Sequence, residues 1–131
     1  MAFRCVVVTP EQQAFDESAT QAILPAHDGL IGILTDRSPL LVKLGIGPLR
    51  IDLPGGQSRT WYIDGGIAQM KSNNLTILTN EAIAPQDIDA EAAKAQYAEA
   101  EARKGTDAKS LEERDRAMTR ARMKQSLAKK S

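Results

Sequence analysis

The composition of this chain changes abruptly near Pro85, and that change limits the folds the chain can adopt. Eight of the nine glycines and five of the six prolines lie before Pro85, together with most of the β-branched residues. After it come a single glycine and a run rich in Ala, Glu, Lys, Arg and Gln. The first composition is typical of strands joined by tight turns, and the second is typical of helices. The sequence therefore predicts two domains, residues 1–84 and 85–131.

Short apolar segments bounded by turn residues recur through the first domain. Pro10 and Pro25 are expected to end two strands, and Pro54-Gly-Gly56 and Ser72-Asn-Asn74 are expected to form turns. The strands are predicted at residues 3–9, 18–24, 32–34, 40–44, 48–53, 59–64, 67–71 and 75–79. Close spacing with frequent turns indicates an antiparallel β-sandwich or flattened barrel.

The second domain is predicted to begin with a helix that starts at Asp87 or Asp89. Either carboxylate can cap the free N–H groups of the first turn and interact with the positive end of the helix dipole. The helix is expected to run to about Lys104 and to end at Gly105, since glycine is favoured just beyond a helix.

A second helix is predicted from Leu111 toward Lys129. Ser110 and Glu113 match the spacing of a capping box, which marks a helix start. The short connection forces the two helices to run antiparallel. The expected fold is therefore α+β, a β-sandwich followed by a two-helix hairpin, and the alanine-rich seam of that hairpin indicates weak packing.

Charge and reactive side chains exclude several classes of function. Seventeen basic and seventeen acidic residues give a formal net charge of zero, which argues against nucleic acid as a partner. Cys5 is the only cysteine and His27 the only histidine, so no disulfide, metal site or catalytic triad is expected. No apolar run is long enough to span a bilayer, so the chain is expected to be soluble, with no direct membrane insertion.

Two glycine-containing stretches carry a family resemblance. The segment from Asp28 to Leu41 (DGLIGILTDRSPLL), followed by 62–69 (YIDGGIAQ) and 74–79 (NLTILT), resembles the N-terminal β-domain of the ε subunit of F-type ATP synthases. The resemblance covers about residues 3–89 in sequence, and the rest in architecture. It implies a non-catalytic subunit of the rotor, without cofactor, whose partners are the γ subunit, the ring of c subunits and, transiently, the α/β catalytic head.

The resemblance also implies contact residues on the β-domain. Contact with the stalk and ring would be made by Thr9, Leu30, Arg37 and Val42. This chain has Arg37 where the family usually has a histidine, and Leu30 where many relatives have an acid. Both departures leave the fold intact and change the chemistry of the contact.

A degenerate nucleotide motif stands at the start of the first predicted helix. Many bacterial relatives bind ATP through Ile/Leu-Asp-x-x-Arg-Ala, and this chain has Ile88, Asp89, Ala92 and Ala93 at the matching positions. Ala92 replaces the arginine that would contact phosphate. Because a hydrogen bond to a charged group contributes about 1.5–3 kcal/mol, ATP binding is expected to be absent or no tighter than millimolar.

The second predicted helix is basic, with six Lys or Arg and no acid from Arg116 to the end. It could be a solvated charged face, a membrane-surface helix, or, as the resemblance implies, an arm that contacts the head and inhibits ATP hydrolysis. The residues expected to make that head contact are Arg116, Arg120, Arg122 and Lys124. The resemblance implies a peripheral position on the cytoplasmic face of a bacterial plasma membrane, with a thylakoid as the second choice.

A different class of function is also compatible with the composition. The chain could be a stand-alone β-sandwich module that binds a sugar or peptide and dimerises through its helical tail. Such a module needs exposed aromatic side chains as a platform. Trp61 and Tyr62 are adjacent, so a strand would point them to opposite faces, which offers little platform.

Overall fold

A computed structural model gives the fold and describes residues 2–26, 29–105 and 107–128. The chain divides into two compact units, Met1–Ile83 and Ala84–Ser131. The strands of the first unit are β1 (Phe3–Val8), β2 (Gln13–Ala19), β3 (Gln21–Ala26), β4 (Gly29–Leu34), β5 (Leu40–Asp52), β6 (Ser58–Lys71), β7 (Asn74–Leu78) and β8 (Ala82–Ile83). The second unit contains a 3₁₀ turn (Pro85–Asp87) and the helices α1 (Ala90–Ala102) and α2 (Ala108–Ala128).

The strands follow one hydrogen-bonded path in the order β2-β1-β7-β6-β5-β3-β4, with β8 paired to β6. Neighbouring strands are antiparallel except for β1 and β7, which run parallel. The path folds over an aliphatic core that includes Leu24, Leu49 and Ile77, all fully buried. The predicted β-sandwich followed by two helices is confirmed, with one parallel pair that the sequence did not indicate.

Two pairs of predicted strands are in fact single long strands. The segments predicted at 40–44 and 48–53 are joined in β5, and those at 59–64 and 67–71 are joined in β6. Twelve residue pairs connect the two strands, from Leu40 with Met70 to Asp52 with Ser58. Glycines at 45, 47, 65 and 66 therefore do not end strands here.

Glycines mark the place where β5 and β6 change the side on which they face the core. Buried or partly buried core positions on β5 are even-numbered up to Leu44 and odd-numbered from Leu49 onward. Gly65 and Gly66 have φ values of +70° and +114°, which side chains rarely adopt. A Cβ atom on Gly66 would also overlap the carbonyl oxygen of Leu78 and lie 2.8 Å from the Cα atom of Thr79. The strand boundary predicted between residues 64 and 67 is therefore a site inside a strand where only glycine fits.

The strand predicted at 18–24 is divided at Thr20, and the strand that follows continues through Pro25. The N–H and the hydroxyl of Thr20 both donate to the carbonyl oxygen of Asp52, at 2.8 and 3.2 Å. The expectation that Pro25 ends the strand was wrong. Pro25 pairs with Leu30 on one side and lies at an irregularity of the β3–β5 pairing on the other, where its missing N–H is tolerated.

The helix starts show one expectation confirmed and one corrected. Asp89 caps α1, its carboxylate accepting a hydrogen bond from the N–H of Ala92 at 3.1 Å. The cap of α2 is Asp107, whose carboxylate accepts from the N–H of Ser110 at 2.7 Å. The capping box of Ser110 and Glu113 was wrong, because the helix begins a turn earlier. The two helices pack together, and Arg114 donates to the carbonyl oxygen of Glu101 across the hairpin at 2.9 Å.

Candidate functional site

Three large apolar side chains are exposed on adjacent strands of the sandwich. They are Leu41 on β5, Ile67 on β6 and Leu78 on β7, with exposed fractions of 70%, 48% and 51%. We call them the apolar face. Single exposed leucines are common, whereas several exposed apolar side chains on neighbouring strands are typical of a protein interaction site.

Strand pairing brings the apolar face together. Ile67 pairs directly with Leu78, and Leu41 pairs with Gln69, the residue two positions from Ile67. Alternate residues of a strand point to opposite sides, so these side chains lie on the side away from the core. Their neighbours on the same strands, among them Ala68 and Ile77, are buried in the core.

Thr9 lies at the margin of the apolar face. It lines an open depression with Ile67, Leu78 and Pro10. Its hydroxyl donates to the carbonyl oxygen of Gln12 at 3.0 Å, and its N–H donates to the same oxygen at 2.9 Å. The turn between β1 and β2 therefore holds Thr9 in a fixed position beside the exposed side chains.

Beside Thr9 in the same depression, Thr79 connects the end of β7 to β6 by a hydrogen bond. Thr79 is polar but buried, and its hydroxyl donates to the carbonyl oxygen of Gly65 at 2.7 Å. The side-chain amide of Asn80 donates to the carbonyl oxygen of Asp64 at 3.0 Å. Both bonds bind the segment after β7 to the middle of β6, which keeps the floor of the depression rigid.

Leu30 and Val42 line a second depression, which Leu41 shares. The side chain of Leu30 is 70% exposed, so it is available to a partner. Val42 is half-buried and packs against the core. On β5 the side chain that reaches outward is its neighbour Leu41.

Arg37 is exposed in the loop between β4 and β5, and the residue before it is held firmly. The N–H of Asp36 donates to the side-chain oxygen of Asn73 at 2.7 Å, and the amide of Asn73 donates back to the carboxylate of Asp36 at 3.0 Å. Asp36 and Asn73 both have positive φ, at 63° and 59°. This double hydrogen bond, which we call the Asp36–Asn73 clamp, presents Arg37 at one end of the sandwich.

At the start of α1 most residues of the degenerate nucleotide motif cap the helix or pack against other residues. The carboxylate of Asp89 is occupied as the cap, and Ala93 is buried, while Ile88 is half-buried and Ala92 is exposed. Ala92 offers a methyl group where the motif has a cation. This end of α1 therefore has no side chain at position 92 to bind a phosphate.

The four basic residues singled out on α2 are not equally accessible. Arg116 and Arg122 are exposed, whereas Arg120 and Lys124 are half-buried and engaged in interactions. Positions 116, 120 and 124 are four residues apart and lie on one side of the helix, and position 122 lies on another. Arg116 and Arg122 are thus the two that can meet a partner without rearrangement.

Reactive and aromatic groups take structural positions. Cys5 is fully buried, and burial raises the pKa of its thiol to about 12. Trp61 packs edge-on against Phe15, with ring centroids 5.0 Å apart, while Tyr62 is buried outside that core cluster. The two aromatics point to opposite faces and make no platform. His27 and Asp28 lie outside the described residues.

The described residues contain neither a cluster of metal-binding side chains nor a helix able to span a membrane. No group of three or more His, Cys, Asp or Glu side chains is placed to hold a metal ion within residues 2–26, 29–105 and 107–128. In the same ranges, neither helix has the length and apolar character needed to cross a bilayer.

Sequence reasoning missed the three residues of the apolar face. A signal was present in the apolar pairs Leu40-Leu41 and Ile77-Leu78, because two successive apolar residues in a strand must face opposite sides. A strand that is apolar on both sides is expected to be covered on both sides.

Comparison with known proteins identifies several similar chains. Residues 2–85 match the family model described as the ATP synthase, Delta/Epsilon chain, beta-sandwich domain. The chain is 36% identical to the ATP synthase epsilon chain of Rhodopirellula baltica over 122 residues, covering 93% of this chain and 94% of that one. It is 36% identical to the ATP synthase epsilon chain of Rippkaea orientalis over 130 residues, covering 93% of each.

A solved structure supports the fold independently. A chain in the mitochondrial ATP synthase of Euglena gracilis superposes with a TM-score of 0.83, covering 92% of this chain and 78% of that one. The sequence identity is 20%, so this likeness bears on the fold alone.

Proposed function

The chain belongs to the delta/epsilon family of F-type ATP synthase subunits and is part of the central stalk, and we propose that it couples rotation there without catalysing a reaction. In this role the β-sandwich holds the γ subunit on the ring of c subunits. Rotation of the ring, driven by proton flow, is passed to γ, and ATP is made in the α/β head.

The apolar face is the observation that carries this proposal. Fully burying a leucine or isoleucine side chain contributes about 1.5–3 kcal/mol, and Leu41, Ile67 and Leu78 each keep about half or more of that surface exposed. Covering them would supply a few kcal/mol of binding free energy. We assign the apolar face and Thr9 to γ, and Leu30, Val42 and Arg37 to the stalk and ring at the neighbouring margin.

Binding to γ tests the assignment. Leu78→Lys puts a charge on the apolar face beside Ile67, and we expect it to weaken binding to purified γ by about tenfold or more, because the lysine must be desolvated or displaced. Leu34→Lys on β4 is the matched control, since Leu34 is exposed to a similar degree, 57% against 51%, and lies outside the apolar face. Equal affinities for the two variants would refute the assignment.

We propose further that the helical unit restrains ATP hydrolysis. Arg116 and Arg122 are exposed, and the chain carries six basic residues and no acid from residue 116 onward, which suits an acidic surface of the head. The test compares ATPase activity of the assembled head with the full chain and with a chain ending at Ala84. A higher rate with the shorter chain, reproduced by Arg116→Glu with Arg122→Glu, would support the restraint. Equal rates would remove it while leaving the coupling role.

The proposed partners also determine where in the cell the chain is located. We propose a peripheral position on the cytoplasmic face of a bacterial plasma membrane, held there by γ and the c-ring. Membrane fractions from cells that lack γ should then lose this chain. Retention without γ and c subunits would contradict the proposal.

A further inference from the structure

The strand β4 is an edge strand, and nothing in it blocks pairing with another strand. Within the described residues it pairs only with β3. Its sequence, Gly-Leu-Ile-Gly-Ile-Leu, has no charge, no proline and no irregular pairing. An exposed apolar edge of this kind is a template for strand addition, and proteins usually protect it.

The opposite edge of the same sheet is protected. Strand β2 carries the exposed acids Asp16 and Glu17, and its pairing with β1 is irregular between Val7 and Val8. Asp16 is also bound to Arg4, with nitrogen–oxygen distances of 2.7 and 2.9 Å. Charges and irregularities are the usual devices against edge pairing. The chain uses them at β2 and omits them at β4.

Gly32, in the middle of β4, has no explanation within the chain. Its φ is not in the left-handed region, and a Cβ atom there would meet only the side chain of Gln21, at 3.9 Å. Glycine weakens a strand, and where packing does not require it, it often marks close approach by another backbone. Gly32 is exposed between Leu30 and Leu34.

The residues around Gly32 read the same in both directions, Leu30-Ile31-Gly32-Ile33-Leu34. We propose that β4 pairs with β4 of a second copy of this chain, antiparallel, about a two-fold axis through Gly32. This register places leucine opposite leucine on the outer side and isoleucine opposite isoleucine on the core side. The two glycines meet at the axis, where a directly opposed pair can bring Cα atoms to about 4.5 Å.

Charge and size both limit the extent and the strength of this contact. Residues 29–35 contain no charge, but continuing the register beyond them would oppose Asp28 to Asp36, two like charges, so the pairing is confined to these seven residues. One strand from each copy buries less than the roughly 1,200 Å² of a stable specific interface. The dimer is therefore weak and concentration-dependent, and it forms when the chain is outside the synthase. It would cover Leu30, so self-pairing and contact with the ring would compete.

Sedimentation velocity of the full chain, from about 1 µM to several hundred µM, tests the proposal. We expect a shift from monomer to dimer, and slower amide exchange in β4 at high concentration. Leu34→Lys should raise the dissociation constant about tenfold or more, because two leucine pairs become lysine–leucine pairs. Leu78→Lys, exposed to a similar degree on β7, should leave the constant within about twofold.

Opposite charges at the axis give a test that misfolding cannot imitate. Gly32→Glu and Gly32→Lys should each be monomeric, since like charges would face each other, and their mixture should form a heterodimer. A chain that stays monomeric at every concentration would overturn the proposal. So would equal effects of Leu34→Lys and Leu78→Lys, or a mixture that stays monomeric. None of these three outcomes would bear on the proposed γ contact, since that contact is tested separately on the apolar face.

Discussion

Gly66→Ala should destabilise the sandwich more than its small size suggests. At φ +114° a residue with a Cβ atom is strained, and a position of that kind costs about 1–3 kcal/mol. The new methyl group would also overlap the backbone of Leu78 and Thr79, so β6 and β7 must separate. Separation loses the hydrogen bond from Thr79 to Gly65, and a typical bond contributes about 0.5–1.5 kcal/mol. The two terms together give a loss of about 1.5–4.5 kcal/mol.

The matched control for this substitution is Gly56→Ala in the turn before β6. Gly56 has φ +89°, and a Cβ atom there would meet nothing within 4 Å. Gly56→Ala therefore introduces a comparable backbone strain without any overlap with neighbouring atoms. Guanidinium unfolding followed by fluorescence of Trp61, the single tryptophan, reports the sandwich directly. We expect Gly66→Ala to lose at least about 1 kcal/mol more than Gly56→Ala. Equal losses would refute the account of β6 and β7 approaching closely at Gly66.

Three further outcomes are expected. The Cys5 thiol should resist thiol reagents in the folded chain. Burial raises the pKa of this thiol to about 12, against about 9.0 in the unfolded chain. The stability that the buried neutral thiol contributes is therefore fully present below pH 9.0. Above that pH it should fall by about 1.4 kcal/mol per pH unit relative to Cys5→Val, measured by guanidinium unfolding at several pH values. Asp107→Ala should reduce helicity by circular dichroism, and Ser110→Ala should not. A hydrogen bond from the N–H of Ser110 lowers the pKa of Asp107, so this cap is present above pH 3.8 and is lost as the pH falls further. Calorimetry should detect no ATP binding tighter than millimolar, while Ala92→Arg should strengthen it, and a micromolar complex with the unaltered chain would contradict the reading of Ala92.

Much of the fold could be predicted from local patterns, and the errors share a cause. The composition change near Pro85 and the carboxylate of Asp89 were sufficient for the two units and the start of α1. The glycines at 65 and 66 were interpreted as the end of a strand, because a sequence shows that φ > 0 is permitted but not what lies beside it. The continuous register of β6 with β5 shows that the strand continues through them, and the close backbone of Leu78 shows why position 66 must be glycine.

The predicted contact residues stay predictions, and the sequence indicated their exposure only in part. Leu30 and Thr9 do lie at the margins of exposed depressions, but spacing alone did not separate Leu41 from Val42. Which of two adjacent residues faces the core depends on the register with β6, and register is a tertiary property. The cap at Asp107 was missed for a related reason. Asp107 and Ser110 are both polar residues that can cap a helix, and the structure uses Asp107.

The long pairing of β5 with β6 has a mechanical consequence. Thirteen residues at about 3.3 Å each make a ribbon of at most about 40 Å, joined by twelve residue pairs that keep one register and skip only Gly45 and Gly65. When such a ribbon is pulled lengthwise its cross-links share the load, whereas peeling from one end breaks them in succession. A twisting force applied near Arg37 would load the ribbon along its length. If the chain couples rotation as proposed, little of the applied torque should be lost in stretching these two strands.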